Sequence, residues 1–280
     1  RFDFAYWKTF FKEALPMGVA SVITFLYFKL DTILLSVMKS NAEVGIYNVA
    51  YKVLENISFF PAMIMALVMP LMSAVAISER KRFEVISNNT FKLFVMLVIP
   101  MVISVLFFAK EIVWVVGGSD FAESVGILRI LVFALALIFF GHFFSMALIV
   151  NNMQKKLMYI FAFAATCNIT LNLIFIPKFS YLAAAYISVI TELLVVIISF
   201  YITMTKLRYR PRVGKLSGLL LAGAGMMIVL LAFRGQHFIV AGMAGVVTYG
   251  VLLWMLDVIT TSEILSLITK KGIKEYEEIS

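Results

Sequence analysis

Eight apolar runs follow one another along this chain, and no stretch between them is long enough to fold alone. They cover residues 12–38, 44–76, 91–116, 124–150, 157–176, 181–205, 216–233 and 237–259. Crossing a bilayer takes about 20 apolar residues in a helix. In lipid a helix satisfies its own backbone hydrogen bonds, so such runs span as helices. The expected fold is all-α: a polytopic transmembrane bundle of about eight membrane-spanning helices. The chain is 62% hydrophobic and 14% charged, against about half apolar and a quarter charged for a soluble domain.

The net charge of +8 could suggest nucleic acid. The Lys and Arg residues do not form a soluble basic face, however. They cluster in alternate connections, as expected beside anionic lipid headgroups. Arg80, Lys81, Arg82, Lys155, Lys156 and the 206–215 cluster fall on the side of the N-terminus. Only Lys39, Lys110, Arg129, Lys178 and Arg234 fall on the other. The basic side is cytoplasmic, so the expectation is a multi-pass protein of the cytoplasmic membrane with both ends inside. The longest inner connection is expected at 77–90, and the longest outer one within 109–123. The tail at 262–280 reads either as a helix lying on the membrane or as a solvated end. The chain begins at Arg1, without a signal-peptide layout, and reads as a piece of a longer protein.

Catalytic signatures are missing from the sequence. It has no Gly-rich phosphate loop, nucleophile elbow or zinc pattern. Cys167 is the one cysteine and reads as a small packing residue. His142 has no second ligand at metal spacing, and His237 borders a run. No enzyme activity, metal or organic cofactor is expected. An integral-membrane glycan polymerase or ligase would show a long polar outer loop, which this sequence lacks. A non-transporting scaffold is a further alternative.

The informative residues are the polar ones inside the runs, because a charge at the centre of a membrane helix costs about 2.5–3.5 kcal/mol. Asn48, Lys52 and Asn56 recur every four residues with Glu55 beside them, one stripe on an apolar helix. With Lys29 on the preceding helix, they suit a cavity wall that attracts a phosphate-bearing headgroup. The alternative is internal neutralisation, with Lys52 paired to Glu55 and Lys29 reaching outward. A second set is Asp31, Asn168, Asn172 and Ser188. One carboxylate, two amides and a hydroxyl suit a hard monovalent cation such as sodium. Glu192, one turn from Ser188, is an alternative proton carrier. Asn and Ser also join membrane helices by plain hydrogen bonds, and that reading stays open. Gly218, Ala222, Ala241 and Gly245 offer four-residue spacing for close helix approach.

Four stretches carry a family resemblance. They are Asp31-Thr-Ile-Leu-Leu with Glu43-Val-Gly-Ile-Tyr-Asn-Val-Ala-Tyr-Lys52; Pro61 through Pro70-Leu-Met-Ser; Gly118-Ser-Asp-Phe121 with Leu128-Arg-Ile-Leu131; and Asn172-Leu-Ile-Phe-Ile-Pro177 leading to Ala183-Ala-Ala185. In order and spacing they resemble the polysaccharide-transport branch of the multidrug/oligosaccharidyl-lipid/polysaccharide exporter superfamily. Ser180 and Ala183 stand where that family usually has glycine. The resemblance implies that residues 1–206 are a six-helix C-terminal lobe, and 207–280 two additional helices with a cytoplasmic tail. It implies a flippase that moves lipid-linked oligosaccharide by alternating access, with the N-terminal lobe missing here as a partner. It also implies a cation site on the first, fifth and sixth helices of the lobe. An ion-coupled multidrug-type exporter is the alternative within transport.

Overall fold

The computed structural model describes residues 29–259. The expected tail helix, Lys271, and most of the first apolar run lie outside them. Residues 29–38 are helical (α1). There follow α2 (Asn41–Val75), α3 (Arg80–Gly117), a 3-10 turn (Ser119–Phe121), α4 (Ser124–Val150), α5 (Gln154–Lys206), α6 (Leu216–Ala232) and α7 (Phe238–Met255). Among the described residues there is no strand. Among the described residues five helices (α2, α3, α4, α5 and α7) are long and apolar enough to cross a membrane, and α6 is a shorter apolar helix. The protein is a multi-pass helical membrane bundle.

The turn between α1 and α2 is set by a capping box. Ser40 Oγ accepts from the Glu43 backbone N–H, and Glu43 Oε2 accepts from the Ser40 N–H at 3.1 Å. Each satisfies a backbone donor that the helix start leaves orphaned. Helix α2 continues through Pro61 and Pro70 for 35 residues.

Helix α3 starts eleven residues before its apolar run, so the expected 77–90 connection shrinks to 76–79. Phe83, Ser87 and Thr90 are buried there while Lys81, Val85 and Asn89 are exposed. Spacing of three and four puts the buried set on one helical face. Arg80 ties this extension to the end of α5. Its guanidinium donates to the carbonyls of Leu207 (2.5 Å) and Arg208 (2.9 Å) and to Glu84 Oε1 (2.8 Å). The expected outer connection also shortens, because α3 runs to Gly117 and the 3-10 turn fills much of the remainder.

Helix α5 is two helical arms joined at a sharp kink, a hairpin in space. Asn168 Nδ2 lies 3.5 Å from Thr191 Oγ1. Twenty-three residues of straight helix would separate them by roughly 35 Å. The chain reverses at Ser180, whose backbone takes φ 52°, ψ −135°. The expected fifth and sixth helices are its two arms. The glycine that the family resemblance implies here would adopt this φ freely; Ser180 holds it while its Oγ donates to Glu43 Oε1 at 2.5 Å.

Helix α4 lies innermost, and more than half of its apolar window is buried. Its Phe139, Phe143 and Phe144 pack edge-on against Phe94, Phe91 and Phe200, respectively. One large core joins α1 to α5; a smaller one joins α6 and α7 to Phe108 on α3. The small residues expected at the α6–α7 contact are buried there. A Cβ on Gly245 would stand 2.8 Å from Leu230 Cδ2, and one on Gly218 2.7 Å from Val258 Cγ2.

Candidate functional site

Asp31 on α1, Asn172 on the first arm of α5 and Ser188 on the second each lie eight or nine residues from a turn at the same end of the bundle. At 1.5 Å per residue this sets all three about 12 Å deep. They meet there. Asp31 Oδ1 accepts from Asn172 Nδ2 at 2.7 Å and from Asn168 Nδ2 at 3.0 Å. Its Oδ2 accepts from Ser188 Oγ at 2.5 Å and from Tyr47 OH at 3.3 Å. All five residues are buried. Four neutral donors from α2 and both arms of α5 thus converge on one carboxylate of α1.

The amides are themselves joined, with Asn172 Nδ2 donating to Asn168 Oδ1 at 3.0 Å. Asn172 Oδ1 is buried and has no hydrogen-bond partner. A buried acceptor without a donor costs about 1–3 kcal/mol. The set therefore fits an added cation: Asp31 supplies the charge, and Ser188 Oγ, Tyr47 OH and the free Asn172 oxygen supply neutral ligands. Among the described residues, no group of three or more His, Cys, Asp or Glu could hold a metal ion.

The other expected set is only partly brought together. Lys29 Nζ lies 2.8 Å from Glu55 Oε2 and 5.0 Å above the Tyr51 ring. Glu55 therefore takes Lys29 as its partner, not Lys52, because the α1–α2 register sets Lys29 against Glu55. Asn48 accepts from Thr32 Oγ1 at 3.2 Å. Lys52 and Asn56 are exposed, and Asn56 Nδ2 donates back to the Lys52 carbonyl at 2.9 Å. Glu192 is half-buried and, like Asp31 and Glu55, lies within Coulombic reach of Tyr51. Tyr51 thus stands between the two sets.

Residues 1–76 match the family model described as Polysaccharide biosynthesis protein. This part of the chain is similar to polysaccharide biosynthesis proteins. It holds α1 and α2, and so Lys29, Asp31, Tyr47 and Glu55; the α5 residues of the site lie beyond it. No curated protein shows a significant match to the chain.

Two residues of the site do not stand out in the sequence. Tyr47 is one aromatic among many, although it lies one turn after Glu43 and one before Tyr51 and so shares their face. Thr191 is one turn from Ile187, to whose carbonyl its hydroxyl donates at 2.9 Å. A threonine satisfied in this way leaves no mark against an apolar background.

Proposed function

We propose that this chain is the C-terminal lobe of a flippase for lipid-linked saccharide in the cytoplasmic membrane, working by alternating access with a second lobe. The observation that carries the reading is Asp31, a buried carboxylate bound by three other helical segments. An ion or proton that binds Asp31 acts on α1, α2 and both arms of α5 together. It shifts the lobe between two arrangements by its differential affinity for them. Sodium or a proton is the proposed coupling species, held by Asp31, Asn168, Asn172 and Ser188, with Glu192 as the alternative proton carrier. Lys29 and Lys52 attract the phosphate of the lipid carrier, with Asn48, Glu55 and Asn56 completing that wall. The similarity of residues 1–76 to polysaccharide biosynthesis proteins supports the substrate class. No catalytic step is assigned to the chain.

The test is Asp31→Asn in the protein assembled with its second lobe. The substitution keeps the shape and removes the charge. Thermal stability is measured against sodium, lithium and potassium across pH, alongside flipping of a lipid-linked saccharide in vesicles. A ligand that prefers the folded state raises its stability, so a sodium-dependent shift lost in Asp31→Asn, with flipping lost too, is expected. A pH response lost instead in Glu192→Gln moves the coupling to a proton on Glu192. No response to any ion or to pH leaves these groups as helix-packing polar residues and removes the coupling proposal.

A further inference from the structure

The end of α3 and the start of α7 border two open clefts that share Phe238. The outer cleft, about 450 Å³, is lined by Lys110, Glu111, Trp114, Ser119 and His237 among others. The inner one, about 530 Å³, is lined by Ser104, Phe108, Gly242, Met243, Val246 and other apolar groups. The inner groove follows α7 from Ile239 to Val247, about 12 Å at the helical rise. An ionic mouth thus continues into an apolar trench.

Three side chains give the mouth its chemistry. Glu111 Oε2 is buried and has no hydrogen-bond partner. His237 Nδ1 accepts from the Ile239 N–H at 3.4 Å, which leaves the neutral ring's proton on Nε2 as a donor. Lys110 adds a cation at the exposed rim. The mouth holds one full positive and one full negative charge, with an N–H donor beside them. An anionic headgroup would leave Glu111 opposed by like charge, and a purely cationic ligand would leave Lys110 opposed. A headgroup with both a phosphate and an ammonium matches it.

We propose that the two clefts form one site for a membrane phospholipid with a primary-amine headgroup. The acyl chain fills the trench beside Phe108 and Gly242. The phosphate meets Lys110 and His237, and the ammonium donates to Glu111. A choline headgroup carries the same charges but has no N–H to give, so it leaves Glu111 Oε2 without a donor.

The experiment uses the full chain, reconstituted in a lipid mixture of phosphatidylethanolamine, phosphatidylcholine and phosphatidylglycerol, extracted into mild detergent, with retained lipid read by mass spectrometry. Phosphatidylethanolamine is expected to be enriched roughly tenfold over phosphatidylcholine, the ratio for one charge-assisted hydrogen bond. Glu111→Gln is expected to abolish that enrichment. Gly242→Leu fills the trench, since a Cβ at Gly242 already stands 3.6 Å from the Phe108 ring, and is expected to lower total retained lipid while helicity by circular dichroism is kept. Equal retention of all three lipids, preference for phosphatidylglycerol, or an ethanolamine preference that survives Glu111→Gln overturns the proposal. If Gly242→Leu does not fold, the Glu111→Gln result decides alone.

Discussion

Asn172 Nδ2 donates to Asp31 Oδ1 at 2.7 Å across 141 positions of sequence. The same amide presents its oxygen to no donor at all. Asn172→Ala removes a bond to a carboxylate and one to Asn168, and is expected to lower stability by about 2–3 kcal/mol. Asn172→Asp places a second carboxylate against Asp31, a repulsion that a bound cation relieves. Its stability is expected to become strongly cation-dependent, read as a thermal midpoint that rises with added sodium or calcium. A midpoint indifferent to both ions in Asn172→Asp would show that no cation reaches this pocket.

Lys29 and Glu55 form an ion pair whose side chains are only part-shielded, so its contribution to stability is small, about 1 kcal/mol or less. Lys29→Ala is therefore expected to leave abundance and thermal midpoint nearly unchanged. On the proposed function, flipping in the presence of a second lobe is expected to fall, and to fall further in Lys29→Ala, Lys52→Ala. Lys29→Arg keeps the charge and is expected to retain part of the activity. Full flipping in the double variant would remove these lysines from the substrate path.

Ser180 holds a φ that suits glycine, at a cost of about 1–3 kcal/mol. Ser180→Ala keeps that cost and loses the bond to Glu43, so the midpoint should drop. Ser180→Gly loses the same bond but relieves the backbone, so it should stand above Ser180→Ala. Denaturation of the two variants in one detergent ranks them directly. Alanine equal to or above glycine would show that the turn carries no backbone strain.

Topology is checked by labelling single cysteines in intact cells with an impermeant thiol reagent. Lys178→Cys sits at the exposed tip of the α5 hairpin and is expected to react. Arg210→Cys and Lys81→Cys, on the basic side, should react only after the membrane is opened. Labelling of position 210 in intact cells would invert the orientation.

Tyr209 is buried between α3 and the end of α5, where its hydroxyl donates to Asn88 Oδ1 at 2.9 Å. Burial pushes its phenol above the usual value. A group whose folded pKa is raised contributes stability that is complete below the unfolded pKa, about 10, and is lost as pH climbs through the folded one. The midpoint should therefore fall in alkaline buffer by less in Tyr209→Phe than in the parent. At neutral pH Tyr209→Phe should cost about 1 kcal/mol through the lost hydrogen bond.

Much of this is legible in the sequence, and the reason is the solvent. Against an apolar background each buried polar group carries a cost, so Asp31, Asn168, Asn172 and Ser188 stand out from residue order alone. For the same reason the bounds of α4 follow from hydropathy. The first eleven residues of α3 do not show, because hydropathy reports what lies in lipid and this helix extends past it. Nor does the Lys29–Glu55 pair, since local spacing along α2 favours Lys52 and the register between α1 and α2 is not a local quantity.

The turn that carries Glu43 has a mechanical consequence. One carboxylate closes the cap of α2 with Oε2 and holds Ser180 with Oε1. Lys39 reaches the Pro177 carbonyl at 3.1 Å, and Tyr181 donates to Glu123. The α1–α2 turn, the α5 hairpin tip and the entry to α4 are therefore riveted at a single rim. If the chain rocks as the proposed function requires, that rim is the expected fulcrum. Leverage then grows with distance from it, so Glu43 and Ser180 travel least, Asp31 about 12 Å away moves moderately, and the far ends of α2 and α5 sweep the widest arc.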